Sequence, residues 1–326
     1  MVAANQLTFR NIPITVRLKA WWEGLPAEAL QPPKKPATAT ATTTVPFMPP
    51  KTPAPTVPSE PWSAAAVEAA QTVWGNRFCG PSNASYLEEL SDQLEIKPHT
   101  SILQLGAQLG GQAQTLADRY KIKVRALEAS SELLKLGGQH GTEKRSSANM
   151  CLSAYDPENF QGFENKFEGA FSQEALFTVK GKRALLAQVE DQLRPGSRLS
   201  LTEYMLAPSA RLGKEVYQNW VKHERRMPHP VSLEEMKDIL SDLKLDIEVS
   251  QDISPQYNSM IKKAWTKAGK FAAKLAEKPE GIEKIRAITK EAEIWQAREQ
   301  IIDSGDIGLW RIVARKKPAL RMLSDW

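Results

Sequence analysis

The chain has 326 residues, 41% hydrophobic and 25% charged, with 43 Lys and Arg against 38 Asp and Glu for a net charge of +5. That is a globular composition with room for one large or two smaller domains, and the mild positive balance is no reason to expect a nucleic-acid partner. No apolar run reaches the length of a membrane span and the N-terminus has no signal-peptide block; Cys79 and Cys151 lack metal or redox spacing, so a reducing cytoplasm is expected, with a single disulfide left open.

Residues 1–30 form a short aromatic and basic segment, with Phe9, Ile12, Ile14, Val16, Leu18, Trp21 and Trp22 among Arg10, Arg17 and Lys19. It reads as a piece that docks on the folded domain, or as an anchor to a membrane surface or a partner. Residues 31–61 are dense in Pro, Thr and Ala and are expected to be an extended or disordered tether. The folded part is expected over 62–326. Ser63 caps a helix over 64–73, and a second helix covers 84–94. Strands follow at 102–105, 124–127, 149–153 and 167–171, with helices between them. An amphipathic helix over 180–193 leads through a turn at 194–197 to a strand at 198–204. A lid is expected over about 206–243, with helices at 213–226 and, from the capping pattern at Ser232, up to 243. A short strand at 245–249, long helices over about 255–302 and a last strand at 307–314 complete the order. Strands alternating with helices predict an α/β, mostly parallel, doubly wound sheet.

Residues 101–130, SILQLGAQLGGQAQTLADRYKIKVRALEAS, carry the most information. They read as strand, glycine turn, helix, strand and a closing carboxylate, Glu128. Glycines in such a turn let backbone approach a ligand, and a carboxylate after the second strand can accept from ribose hydroxyls. The unit suits several nucleotide cofactors.

The later strings narrow the choice. LQLGAQLGG, VRALEAS, AYDPENF, FEGAFSQEALFTV, LRPGSRLSLTEYM and GLWRIVARK, in this order, resemble a class I S-adenosylmethionine-dependent methyltransferase over residues 62–317. WGNRF at 74–78 is similar to the stretch before the glycine loop in the phosphoethanolamine N-methyltransferase-like group of small-molecule methylases. The resemblance implies a Rossmann-like seven-stranded sheet of order 3-2-1-4-5-7-6 with strand 7 antiparallel, and S-adenosylmethionine at the carboxyl ends of strands 1 to 4. It implies that Gln104, Gly106, Gln108, Gly110, Glu128, Ala129, Asp156 and Ser172 surround the cofactor. Glu128 would hold the ribose, Asp156 the adenine amino group, and Tyr155 and Ala129 the ring. Trp74, Phe78, Glu174, Thr178 and Tyr204 would form the substrate pocket; no metal is expected.

The chain departs from the family at four of these positions. Gln104 stands where an acid is usual, and Gln108 where glycine is usual. Phe78 and Thr178 replace the tyrosine and histidine that assist methyl transfer in the phosphoethanolamine group, so no catalytic residue is assigned from the sequence. His223 and His229 lie in the inserted region. Trp220, Tyr257, Trp265 and Trp295, with Lys262, Lys263, Lys267, Lys270 and Lys274, furnish an aromatic and basic lid. The resulting expectation is cytoplasmic methyl transfer to a small-molecule or lipid-linked acceptor, with peripheral contact at the inner face of the membrane as a further option. The competing expectation is a methyltransferase-like protein without turnover that serves as a binding or scaffold partner.

Overall fold

The computed structural model describes residues 60–141, 149–276 and 281–318. The expected N-terminal segment and nearly all of the tether fall outside them. Seven strands form one sheet in the order β3-β2-β1-β4-β5-β7-β6. They are β1 (Ser101–Leu105), β2 (Lys123–Glu128), β3 (Met150–Ala154), β4 (Phe167–Gln173), β5 (Leu193–Leu206), β6 (Leu245–Asp252) and β7 (Ile307–Lys316). The first five run parallel; β7 lies antiparallel between β5 and β6. This is the fold of the class I methyltransferases that the sequence resembles.

The central strands are apolar on both faces, as a sheet covered on both sides requires. Ile102, Leu103 and Leu105 of β1 and Leu199 and Leu201 of β5 are buried. Helices α1 (Ala64–Trp74), α2 (Ala84–Gln93), α3 (Gly111–Tyr120), α4 (Ser131–Gly141) and α5 (Lys182–Gln192) cover the sheet. Their starts follow local chemistry. Ser63 Oγ accepts from Ala66 N at 3.2 Å, and Asn83 Oδ1 accepts from Tyr86 N at 2.8 Å.

Two insertions follow the parallel half. The first carries α6 (Glu215–His223) and α7 (Leu233–Asp242, capped by Ser232) between β5 and β6. The second is a pair of long helices, α8 (Ser254–Ala276) and α9 (Gly281–Asp303), between β6 and β7. Its two ends are neighbours in the sheet, where Asp252 is paired with Trp310. Trp220, Tyr257, Trp265 and Trp295 are buried in one cluster that joins α6, α8 and α9 to Phe177 and Tyr204. Three of the four expected lid aromatics are therefore core; Trp295 alone also faces the cleft. Lys262 pairs with Glu299 at 3.0 Å, whereas the side chains of Lys270 and Lys274 fall outside the described residues.

The turn expected at 194–197 is not a turn. Pro195 and Gly196 form an irregularity inside a continuous β5, with Gly196 at φ 82° and a register shift between Phe167 and Gly169 of β4. Proline cannot donate to the ladder, but a bulge absorbs it without ending the strand. Glu60, expected to lie in the tether, contacts the folded part. The Glu60 carboxylate accepts from Ser130 Oγ at 2.6 Å and Ser131 N at 3.0 Å, and so caps α4. Both cysteines are free thiols, Cys79 buried and Cys151 exposed. Among the described residues no helix is long and apolar enough to cross a membrane, and no His, Cys, Asp and Glu cluster could hold a metal.

Candidate active site

The carboxyl ends of β1, β2 and β4 meet at a cleft of about 880 Å³, counting its open mouth. Its floor is the loop after β1. Gly106, Gln108 and Gly110 all take positive φ there, at 67°, 54° and 78°. At Gly106 the reason is space as well as angle: a Cβ would stand 2.4 Å from Ala175 Cβ. Gln108 bears the strain of an L-residue in this region, roughly 1–2 kcal/mol. Two hydrogen bonds hold it. Its N–H donates to Glu128 Oε2 at 2.7 Å, and its Oε1 accepts from Cys79 N at 3.1 Å. The second bond ties the segment before α2 to the loop, a contact glycine could not make.

Glu128 ends β2 buried, and its other oxygen accepts from Ser130 N at 2.8 Å. Burial pushes its carboxyl above the ordinary value, opposed by the N–H groups of Ser130 and Gln108. Ala129, Leu133, Tyr155 and Pro157 continue the apolar wall beside it. Pro61 and Trp62 close over this end. The Trp62 ring lies 3.7 Å from the Arg225 guanidinium carbon, and Arg225 in turn pairs with Glu291.

The opposite end is built from the loop after β4. Glu203, buried in β5, fastens that loop. Its Oε1 accepts from Ser172 Oγ at 2.8 Å and from Ala175 N and Leu176 N at 3.1 Å each; its Oε2 accepts from Phe177 N at 3.3 Å. Burial nevertheless raises its pKa to about 7. The loop so held presents Glu174, itself at φ 53°, to the cleft. Glu174 Oε2 accepts from Tyr204 Oη at 3.3 Å and Arg298 at 3.0 Å. Arg298 also grips Glu224, through Nε at 2.7 Å and Nη2 at 2.8 Å, and lies 4.6 Å over the Trp295 ring. Burial pushes the Glu174 carboxyl up, with Arg298 the main opposing influence.

Of the residues expected from the sequence, Gly106, Gln108, Glu128, Ala129, Glu174 and Thr178 line the cleft. Gln104 does not. Its Nε2 donates to Gln112 Oε1 at 3.0 Å, Gln112 donates to Gln173 Oε1 at 2.5 Å, and Gln173 donates to Pro81 O at 2.8 Å. Gln104 Oε1 is a buried acceptor with no donor. Gly110 caps α3, and Ser172 serves Glu203. Asp156 is exposed and spends its carboxylate on Glu158 N at 2.9 Å and Asn159 Nδ2 at 2.7 Å, the turn chemistry of an Asp-Pro pair. Trp74 packs on Trp295 at 4.6 Å, Phe78 on the glycine loop beside Gly111, and Tyr204 stands behind Glu174. His223 bonds Asn219 O and the His229 N–H donates to Phe177 O; neither lines the cleft. The sequence reading missed Trp62, Glu203, Glu224, Arg225, Arg226, Glu291 and Arg298. Glu203 lies in one of the quoted strings but was given no role there, and Glu224, Arg225, Glu291 and Arg298 are brought together by pairings between elements.

No family model matches the chain. It is 21% identical over 138 residues to phosphoethanolamine N-methyltransferase 3 of Arabidopsis thaliana, covering 42% of this chain and 28% of that protein. To phosphoethanolamine N-methyltransferase of Plasmodium falciparum (isolate 3D7) it is 21% identical over 199 residues, covering 60% of this chain and 72% of that one. The chain spans about a third of the length of the relatives it first matches. Among solved structures, Haemonchus contortus phosphoethanolamine N-methyltransferase 2 in complex with S-adenosyl-L-methionine superposes with a TM-score of 0.67. The identity is 19%, over 77% of this chain and 56% of that one. At such identities the likeness establishes the fold.

Proposed function

We propose that the chain transfers a methyl group from S-adenosylmethionine to a small-molecule acceptor. The observation that carries this reading is Glu128: a buried carboxylate at the end of β2 whose two oxygens each take one main-chain N–H and retain acceptor capacity at the cleft wall. That suits a ribose diol. The donor set fits the rest of the cofactor as well. The cleft is lined by four glutamates (Glu128, Glu174, Glu224, Glu291) and three arginines (Arg225, Arg226, Arg298), an excess of negative charge that favours a sulfonium cation. Ala129, Leu133, Tyr155 and Pro157 offer an apolar slot beside Glu128 for a flat ring.

S-adenosylmethionine supplies an activated methyl group on sulfur, so the protein's share is positioning and proton handling. Phe78 and Thr178 can accept no proton from an amine. Glu174 can: it faces the cleft, is held by Glu203 through the loop and by Tyr204 and Arg298 directly, and burial raises its carboxyl above the ordinary value, the direction that makes a carboxylate a stronger base. Its Oε1 meets Gln173 Nε2 at a long 3.3 Å, and the Tyr257 hydroxyl also bonds the carboxylate. Phe177, Ile294 and Trp295 give the acceptor an apolar wall. The acceptor is accordingly a small amine or hydroxyl compound with an apolar part.

Calorimetric titration with S-adenosylmethionine and S-adenosylhomocysteine tests the reading, followed by a labelled-methyl screen over amines, phenols and phospholipids. Binding of both cofactor forms with label transfer to one acceptor class is expected. Absence of heat at millimolar cofactor would remove the methyl-transfer reading and leave the scaffold alternative.

A further inference from the structure

The second insertion brings two charges of α9 to the cleft, the buried Glu291 and Arg298. Arg298, its side chain 12% exposed, bridges two carboxylates from different elements, Glu174 after β4 and Glu224 after α6. One guanidinium facing two carboxylates leaves the group a net negative charge. We propose that Arg298 is the positioning residue that holds Glu174 in place, ionised, as the proton acceptor of the reaction; this rests on the methyl-transfer reading above. The acceptor's nitrogen or oxygen would form its new bond to the methyl carbon with its own lone pair, the methyl–sulfur bond breaking to leave a neutral thioether, and its proton passes to Glu174 Oε1. The carboxylate becomes a neutral carboxyl and the methylated product leaves without the extra charge.

The geometry gives the reason. Arg298 spends Nε and Nη2 on Glu224, a two-point grip that fixes the plane of the guanidinium. Only Nη1 is left to point at Glu174 Oε2. The stack on Trp295 restrains the same plane from its face. Glu224 is itself anchored by Trp220 Nε1 at 2.7 Å. Glu174 is thus fixed by a chain of contacts from α6 through α9, and the contact from Arg298 falls on Oε2, leaving Oε1 with the long bond from Gln173.

The charged and titratable groups around Glu174 come from five directions. They are Arg298 from α9, Glu224 from the end of α6, Tyr204 and Glu203 from β5, Tyr257 from α8 and Tyr86 from α2. Arg298 is the only cation in that set. Glu224 and Glu203 both oppose ionisation of Glu174, and the phenols are pushed up and stay neutral near pH 7. Without Arg298, burial and two like charges act on Glu174 with only neutral hydrogen-bond donors, Tyr204, Tyr257 and Gln173, against them.

The test has a readout that needs no cofactor. Protein labelled with carboxyl-¹³C glutamate is titrated by NMR, the Glu174 signal being identified by its loss in Glu174→Gln. In Arg298→Gln the Glu174 titration moves up by about one pH unit or more, and the acid limb of kcat/KM moves up with it. Arg298→Lys keeps the charge and restores most of the wild-type limb. Glu224→Gln frees the guanidinium for Glu174 and moves both titrations down. A Glu174 signal unmoved in Arg298→Gln, or a fall in kcat with the limb in place, overturns the proposal. Should Arg298→Gln fail to fold, an unmoved Glu174 in Glu224→Gln overturns it alone. Cofactor bound with Glu174 unmoved sinks the role of Arg298 only; no cofactor binding in the wild type sinks the methyl-transfer reading and the role together.

Discussion

The main-chain N–H of Gln108 donates to Glu128 Oε2 at 2.7 Å, so a carboxylate ending one strand stabilises a left-handed residue in the loop that follows its neighbour. The same carboxylate that is proposed to hold the ribose therefore also shapes the floor beneath it. Ligand grip and loop conformation share one side chain.

Glu128→Gln is expected to weaken S-adenosylmethionine binding tenfold to a hundredfold, about 1.4–3 kcal/mol, because an amide cannot accept on both sides as the carboxylate does. Asp156→Asn is the control. Its carboxylate is committed to Glu158 and Asn159, so calorimetry is expected to find affinity within about threefold of wild type.

At Gln108 two costs can be separated. Gln108→Ala keeps the positive φ and loses the bond to Cys79 N, and is expected to destabilise the protein by about 1–2 kcal/mol. Gln108→Gly loses the same bond but relieves the strain, and should be more stable than Gln108→Ala by about 1 kcal/mol in urea titrations.

Glu203 makes stability depend on pH. Its folded-state pKa, about 7, lies above the unfolded value of 4.5. A carboxyl raised in this way adds stability below pH 4.5 that is lost as the pH rises through about 7, on the order of 3 kcal/mol in full. The Glu203→Gln variant is expected to show a flatter profile between pH 5 and about 7.5 than wild type in thermal melts. Parallel profiles for the two proteins would contradict this.

Gly106→Ala is expected to cost more than an ordinary loop substitution. The new methyl group would meet Ala175 Cβ at 2.4 Å at a position with φ of 67°. Backbone on both sides is fixed, by Glu203 on the β4 side, so the loss should reach about 3 kcal/mol or more in denaturant unfolding and reduce cofactor affinity with it.

The sheet was legible because its strands are short apolar runs with turn residues between them, and because Ser63 and Ser232 announce their helices locally. Gly106, Glu128 and Glu174 were legible for a similar reason: strand ends define where a ligand can lie. Arg298 was not. It stands 124 residues from Glu174 in sequence, on a helix with many other charges, most of them away from the cleft. Glu203 was hidden differently, as one of several polar residues in its strand, with nothing local to say that its side chain points at three main-chain N–H groups. Asp156 was misplaced because an acid before proline satisfies its own turn. The reading of Pro195 and Gly196 as a stop failed because the neighbouring strand tolerates a bulge.

The helical pair between β6 and β7 leaves and rejoins the sheet at paired positions, Asp252 and Trp310. The rungs that pair β2 with β1 and β3, and so place Glu128, make no use of α8 or α9. The two sides of the cleft are thereby fastened to the sheet at separate places, and they meet only through side chains such as Trp295 and Arg298.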